Sequence, residues 1–282
     1  MAIATRLQVH PIAGALGAEI HGVDLARDTD DATIAGIRAA LLEHCVVFFR
    51  DQTLDADQQK RLARRFGDLF VHPNYVGLQA DPEIVEIRRE PGDTRIVGED
   101  WHTDTTMVAD PPMGAILYAI EVPPYGGDTL FANQYLAYEA LSDGMKRLLS
   151  TLRAVHSDRK VAGPKSGANV GRSTQARVDD AWRETVNVHP VVRTHPETGR
   201  KLLFVNKAYT VGFDGMTEAE SAPLLDFLLE HGHRPEFTCR FRWAKGSVTF
   251  WDNRSVKHLA VNDAGAYRRH MRRVQIAGDR PR

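Results

Sequence analysis

The sequence predicts a mainly β protein, a sheet sandwich or jelly roll with flanking helices and an N-terminal α/β portion. Strands and helices alternate before residue 67, and short apolar or alternating segments typical of strands recur from residue 84 to the end. Helical spacing is confined to a few segments. The 282 residues are enough for one large domain, and we expect a single domain over residues 1–282.

The N-terminal portion contains the predicted α/β elements. Asp30 or Asp31 can cap a helix, because a short carboxylate accepts hydrogen bonds from the free N–H groups at a helix start. The other elements are a strand and turn over Leu16–Leu25, a buried strand over Val46–Phe49, and a helix from Asp55 to Phe66 that Gly67 ends.

In the second part of the chain, short strands predominate. Thr217 and Glu220 form a capping-box pattern, although Pro223 favours a later helix start at Ser221. Two further helices are predicted, at Tyr135–Leu141 and at Met145–Leu152 after a Ser142 cap. The predicted strands are Ile116–Val122, Val191–Thr194, Leu202–Val205, Phe237–Trp243, Ser247–Trp251 and His270–Ile276.

Composition excludes some classes of partner. With 36 basic and 37 acidic side chains, the net charge of −1 does not indicate binding to nucleic acid or to an anionic membrane. No apolar run reaches the roughly 18 residues of a membrane span, and the N-terminus has no signal-peptide pattern, so we expect a cytoplasmic protein. Cys45 and Cys239 lie in apolar or alternating stretches, which favours two buried thiols over one disulfide.

A long loop is predicted at residues 160–177. It is rich in Gly, Ser, Lys and Arg and has almost no apolar periodicity. A loop of this length within a compact domain is usually functional or disordered. Its basic side chains would steer an anionic substrate towards a site, or they would form a solvated surface.

A metal site is indicated by His102 and Asp104. On a strand, residues i and i+2 project to the same face, so these two side chains could bind one ion. The pair is weak evidence alone, because a His-x-Asp sequence is usually a surface strand or turn. His258, on a late strand, would complete a set of two histidines and one carboxylate, which suits Fe(II) and leaves three coordination positions open.

Two arginines near the C-terminus indicate an anion site. Arg269 and Arg273 are four residues apart, so a regular strand would direct both guanidinium groups to one face. That face is either solvated and basic, or it points inwards and requires anions, since buried unpaired guanidinium groups are costly. A dicarboxylate cosubstrate would supply such an anion.

At this point the chain resembles a known family. The segments WHTD, YGGDTLFA, HPVVRTHPETGRKLLFVN and WDNRSVKHLAVNDAGAYRRHMRRVQIAGD resemble the taurine dioxygenase family, which includes alkylsulfonate and aryloxyalkanoate dioxygenases. The resemblance covers nearly the whole chain and implies a double-stranded β-helix, the jelly roll also found in cupins. It implies that His102, Asp104 and His258 are the ligands of a catalytic iron.

The resemblance also implies binding residues for two small molecules. Thr129 and Arg269 match positions that bind the distal carboxylate of 2-oxoglutarate. Arg273 matches a second arginine, which contacts the substrate sulfonate in the taurine enzyme. His72 and Tyr75 match residues that line the substrate pocket, although the HPNY segment is equally consistent with a shaped loop in which the tyrosine packs.

The resemblance implies that the protein hydroxylates a small organic anion at a C–H bond next to a heteroatom. The reaction would use Fe(II), 2-oxoglutarate and O2, and it would release succinate and CO2. Gly98 departs from the taurine enzyme, whose polar side chains before the triad hold an ammonium group. Sulfonates, alkyl sulfates and aryloxyalkanoates therefore all remain candidates. Loop 160–177 corresponds to a segment that covers the active site, and relatives are usually homodimers or homotetramers. The alternative is a non-catalytic jelly roll that binds metal or small anions.

Overall fold

The computed structural model describes residues 7–27, 30–177 and 182–282. The prediction that the N-terminus has no signal peptide concerns residues 1–6 among others, and these six lie outside the described residues. The described strands are β1 Gln8–Pro11, β2 Ala18–His21, β3 Val46–Phe49, β4 Leu69–Phe70, β5 Ile84–Arg89, β6 Gly114–Glu121, β7 Thr129–Asn133, β8 Arg153–Ser157, β9 Val186–Pro190, β10 Val192–Thr194, β11 Lys201–Leu203, β12 Thr210–Phe213, β13 Thr238–Phe241, β14 Val248–Asp252, β15 Val256–Ala260 and β16 Arg269–Ile276. The described helices are α1 Asp31–His44, α2 Ala56–Arg64, α3 Gln134–Glu139, α4 Asp143–Leu149 and α5 Glu218–His231, with a 3-10 turn at Pro235–Phe237. The protein is therefore mainly β with few helices.

The larger sheet has the strand order β1-β2-β3-β14-β6-β16-β4, and β5 pairs with the other end of β16. Among its described pairs, β2 and β3 are parallel and the others antiparallel. Helices α1 and α2 pack against one face of this sheet. Alternation along β6 divides its side chains between two cores: Ile116 and Tyr118 face the helices, and Ala115 and Leu117 face the opposite side.

A smaller sheet of β13, β7 and β15 covers that opposite side. Side chains of both sheets meet in one apolar cluster, where the rings of Phe48 and Phe241 stack with centroids 4.0 Å apart. Strand β7 carries Thr129, β15 carries His258, and β16 of the larger sheet carries the two arginines. The space between the sheets is therefore where the predicted site residues converge.

A third layer closes one end of this space. Strands β12, β8 and β9 form a sheet that packs with α3, α4 and α5 around a separate apolar core. Loop 160–177 is hydrogen-bonded to two other segments of the chain. Gly171 O accepts from the backbone N of Thr94 at 2.9 Å, and Arg177 N donates to Asn74 O at 2.7 Å.

Several sequence predictions are confirmed at residue level. Asp30 caps α1 by accepting from Ala32 N and Thr33 N, and Ser142 caps α4. Strand Val46–Phe49 is fully buried. The two cysteines are free and buried, and burial raises the pKa of each thiol to about 12. No helix among the described residues is long and apolar enough to cross a bilayer.

Among the helix boundaries that differ from the prediction, those of α5 and α2 have a clear local cause. The later start of α5 at Ser221 is wrong: the Thr217–Glu220 capping box fixes the start, and Pro223 is accommodated inside the helix. Because proline has no N–H, α5 lacks the backbone hydrogen bond from residue 223 to the carbonyl of Ala219. Helix α2 ends at Arg64, two residues before Phe66, because the next N–H groups bond in tighter i→i−3 turns.

Candidate metal centre and active site

His102, Asp104 and His258 meet in a buried cluster between the sheets. One ligand atom from each lies within 4.8 Å of the others, and all three residues are buried. Asp104 Oδ1 lies 3.7 Å from Nε2 of His102 and 3.7 Å from Nε2 of His258. This spacing places two imidazole nitrogens and one carboxylate oxygen around a single point, as a mononuclear metal requires.

The predicted strand through His102 and Asp104 is wrong in detail. Only His102 pairs, through an isolated bridge to His258, and the chain then turns at Asp104. The backbone N of each histidine donates to the carbonyl of the other, at 3.0 and 2.7 Å. Pairing stops because Thr105 adopts a positive φ of 53°. The turn, rather than i,i+2 alternation, brings the carboxylate beside the imidazoles.

The protonation states in this cluster suit metal binding. His102 Nδ1 lies 2.7 Å from the carbonyl of Asp100 and donates to it, so Nε2 keeps its lone pair towards the cluster. Burial lowers the pKa of His102 and, more strongly, that of His258. Burial raises the pKa of Asp104, but the guanidinium of Arg273 outweighs that effect and holds it below its usual range. Two neutral imidazoles and an ionised carboxylate result.

A small cavity of about 40 Å³ adjoins the cluster and contains the predicted cosubstrate residues. Thr129 and Arg269 line it together with His258. Arg269 is 8% exposed, and its Nε has no hydrogen-bond partner among the described residues. Burial lowers the pKa of Arg269 to about 10. The guanidinium lies 5.5 Å from the ring centre of Trp243, whose Nε1 donates to Thr129 Oγ1 at 3.0 Å.

A larger cavity of about 240 Å³ opens on the other side of the cluster. His72, Tyr75 and Arg273 line it, as predicted for the substrate pocket. His72 Nδ1 accepts from the backbone N of Asn74 and of Tyr75, so the neutral ring carries its proton on Nε2. Burial and, secondarily, Arg273 lower the pKa of His72 to about 3.

Positive charge predominates in this larger cavity. Its lining includes two ion pairs, Arg95 with Glu99 and Lys207 with Asp100 at 2.7 Å. Arg273 is a further cation, with Nη1 3.2 Å from Asp104 Oδ1 and Nη2 without a partner among the described residues. Loop 160–177 contributes Lys160, Val161, Ala168 and Arg172 to the lining.

Gly98 lies where the two cavities adjoin and lines both. Its φ is +82°, and a Cβ there would lie 3.0 Å from Cε1 of His102. Both the backbone conformation and the space therefore require glycine. This position therefore has no polar side chain, as noted from the sequence, and only its backbone faces the two cavities.

Sequence reasoning missed three residues of the site. Asn253 contacts Asp104, Trp243 holds Thr129, and Tyr209 lines the substrate cavity with its phenol buried. Asn253 lies in the sequence segment WDNR, between the buried strand and His258, and this position could have indicated that it belongs to the site. The other two act through tertiary packing, for which the local sequence holds no signal.

Three candidate metal ligands beside a buried guanidinium in an adjoining cavity are the arrangement expected of a metal-dependent oxygenase with a dicarboxylate cosubstrate. Residues 8–275 match the family model described as taurine catabolism dioxygenase TauD, TfdA family. The chain belongs to this family of 2-oxoglutarate-dependent dioxygenases.

Known proteins similar to this chain agree with that assignment. It is 38% identical to an alpha-ketoglutarate-dependent sulfate ester dioxygenase of Pseudomonas putida, over 99% of this chain and 92% of the relative. It is similar to the crystal structure of a taurine dioxygenase from Burkholderia xenovorans, with a TM-score of 0.82 and 39% identity. That match covers 98% of this chain and 90% of the other. A second similar structure is AAD-2 in complex with Mn(II) and N-oxalylglycine, with a TM-score of 0.79 and 26% identity, covering 98% of this chain and 99% of that chain.

The residues present fit the cofactors of this class, which are Fe(II), 2-oxoglutarate and O2. Two neutral imidazoles and one carboxylate are the donor set of non-haem Fe(II) oxygenases. The unpartnered Nε of Arg269 fits the distal carboxylate of the cosubstrate.

Proposed function

We propose that this protein hydroxylates a small organic anion at a carbon bonded to a heteroatom, with an alkyl sulfate ester as the preferred substrate class. One observation carries the proposal: the buried His-Asp-His cluster stands between two adjoining cavities, and each cavity contains a buried guanidinium. One cavity suits a dicarboxylate cosubstrate, and the other suits an anionic substrate.

Arg269 and Thr129 would hold the distal carboxylate of 2-oxoglutarate in the smaller cavity. A guanidinium forms two parallel hydrogen bonds to a carboxylate, and the Thr129 hydroxyl, which accepts from Trp243, has its proton free to donate a third. When bound, Fe(II) with 2-oxoglutarate and O2 supplies the oxidising power that removes hydrogen from an aliphatic C–H bond. His102, Asp104 and His258 would hold the ion.

Arg273 and His72 would bind the charged group of the substrate in the larger cavity. Arg273 offers the unpartnered Nη2, and neutral His72 offers an Nε2–H that also lies 3.4 Å from Thr105 Oγ1. Both groups donate hydrogen bonds, which matches the acceptor oxygens of a sulfate ester, a sulfonate or a carboxylate.

The class of substrate follows from Gly98 together with the known relative. A substrate with an ammonium group next to the reacting carbon would find no side-chain acceptor at Gly98. The similarity to a sulfate ester dioxygenase supports the same choice. Hydroxylation of the carbon that bears the sulfate oxygen gives a product that collapses to an aldehyde and inorganic sulfate.

Two structural roles belong to the same proposal. Loop 160–177 would act as a lid, which is supported by its four cavity-lining residues and its attachment to segments on both sides of the opening. The larger and smaller sheets would form a double-stranded β-helix, which is supported by their antiparallel strands and their shared apolar core.

A substrate panel tests the proposal. Purified protein with Fe(II), 2-oxoglutarate and O2 is offered alkyl sulfates, alkylsulfonates, taurine and aryloxypropionates, and succinate and the released anion are measured. We expect the highest kcat/KM for an alkyl sulfate, with sulfate and succinate formed in equal amounts. No substrate-dependent succinate with any compound would refute the enzyme assignment, and a preference for taurine would refute the substrate class.

A further inference from the structure

The two oxygens of the Asp104 carboxylate have different surroundings. Oδ1 faces the histidine Nε2 atoms at 3.7 Å each and Arg273 Nη1 at 3.2 Å. Oδ2 is directed away from them and accepts from Nδ2 of Asn253 at 3.4 Å. The carboxylate therefore presents one oxygen to the cluster, while the other is engaged by a neutral amide.

The Asn253 side chain is itself fixed in this orientation. Its Oδ1 accepts from Trp251 Nε1 at 2.9 Å and from the backbone N of Asp104 at 3.4 Å. Because two donors face Oδ1, the amide nitrogen must be the atom that faces Asp104 Oδ2. The backbone N of Asn253 donates to Met113 O at 2.9 Å, which anchors the residue to the larger sheet.

The turn that carries Asn253 is stabilised by a buried ion cluster. Arg254 binds Asp252 through two parallel hydrogen bonds of 2.8 Å, and His195 Nε2 lies 3.0 Å from the same carboxylate. This turn joins β14 to β15, the strand that bears His258. One short segment therefore carries both His258 and the Asn253 amide that bonds to Asp104.

We propose that Asn253 is a positioning residue that keeps Asp104 a one-oxygen metal ligand and so preserves the open coordination positions that the reaction requires. The proposal rests on the proposed function, because it assumes that the cluster holds a metal. Without the amide, the carboxylate could rotate about its Cβ–Cγ bond and offer both oxygens to the ion. Arg273 contacts Oδ1, whereas Asn253 is the residue that bonds to Oδ2.

Two variants separate positioning from structural support. Asn253→Asp keeps an oxygen that accepts from Trp251 Nε1, but it replaces the amide donor with a second carboxylate beside Asp104. Asn253→Ala removes both contacts. Asn262→Ala is the matched control, because Asn262 is an exposed asparagine whose amide bonds to the carbonyl of Thr94. Each variant is first tested for folding by its thermal unfolding transition.

Co(II) serves as the probe, because its visible absorption reports coordination number without turnover. We expect both Asn253 variants to bind Co(II) about 10- to 100-fold more weakly than the wild type, as is typical when an outer partner of a ligand is lost. We also expect a changed visible spectrum and weaker binding of N-oxalylglycine to the Co(II) protein. The control should match the wild type in all three measurements.

The outcomes separate this inference from the proposed function. If folded Asn253 variants keep the wild-type Co(II) spectrum, Co(II) affinity and N-oxalylglycine affinity, the positioning role is refuted. Loss of stability with these three properties unchanged would likewise refute it, because that result assigns only a structural role. A wild type that binds Co(II) but forms no succinate refutes the proposed function alone, whereas a wild type that does not bind Co(II) refutes both.

Discussion

Replacement of Arg269 by methionine tests the cosubstrate site most directly. The guanidinium is buried, its Nε is unpartnered within the described residues, and burial lowers its pKa to about 10. A lowering of this size corresponds to about 3 kcal/mol against the charged form. Asp128 is the carboxylate that counteracts this effect, but its Oδ2 already accepts from Arg240 at 2.6 Å.

Two opposite effects follow from one substitution. Without cosubstrate, Arg269→Met removes an uncompensated buried charge and keeps much of the side-chain volume, so the protein should become more stable by about 1–3 kcal/mol. With cosubstrate, the variant loses a buried charge pair, and 2-oxoglutarate binding should weaken by about 2–5 kcal/mol. That loss corresponds to a Kd higher by about 30- to 4,000-fold.

Urea unfolding measures the first effect, and anaerobic titration of 2-oxoglutarate into the Co(II) protein measures the second. Co(II) affinity should stay unchanged, since Arg269 is not a metal ligand. Arg268→Met is the matched control, because that neighbouring arginine is partly exposed and pairs with Glu90 and Glu121. A variant that is less stable without cosubstrate, yet binds 2-oxoglutarate normally, would show that the assignment of Arg269 is wrong.

Three further predictions concern single residues. Gly98→Ala should lower Co(II) affinity about tenfold and the free energy of unfolding by about 1–3 kcal/mol, because its φ is +82° and the new Cβ meets His102. Spectroscopic titration measures the Co(II) affinity. Thr129→Val should weaken 2-oxoglutarate binding by about 1 kcal/mol through loss of one hydroxyl hydrogen bond, which calorimetry measures. His156→Gln should flatten the loss of stability below pH 6.5, because burial lowers the pKa of His156 to about 3.

The sign of the pH effect follows from the two states of His156. Between about pH 6.5 and pH 3 the unfolded chain binds a proton that the folded protein does not, so stability falls as the pH falls through this window. Urea unfolding from pH 4 to pH 7 measures the slope. An unchanged slope in His156→Gln would contradict the prediction for His156. Wild-type Co(II) affinity in Gly98→Ala would contradict the prediction for Gly98, and normal 2-oxoglutarate affinity in Thr129→Val would contradict the prediction for Thr129.

Sequence periodicity predicted the site well where the chain forms regular strands. Arg269 and Arg273 lie on β16 and both line the small cavity, as a spacing of four residues requires. The segment around His102 and Asp104 was expected to bring the two side chains together as residues i and i+2 of a strand. Its conformation instead depends on His258, a partner far along the chain, and no local pattern encodes that pairing.

Residues that act through other residues were not predictable in the same way. The position of Asn253 in the segment WDNR, close to His258, indicates that it is near the site, but its contact with Asp104 exists only after the two segments meet. Helix caps were predicted better than helix ends, since capping side chains act locally. The end of α2 depends on how Phe66 enters the apolar core rather than on Gly67.

The mutual backbone hydrogen bonds of His102 and His258 have a consequence for protein synthesis. The two imidazoles are brought together by main-chain pairing between an early and a late part of the chain, so neither half can assemble the metal site alone. A ribosome-bound chain that ends before residue 258 therefore lacks the site. The complete set of three ligands can form only after residue 258 is made, and metal binding then stabilises the pairing of the two segments, since binding energy is folding energy for such a site.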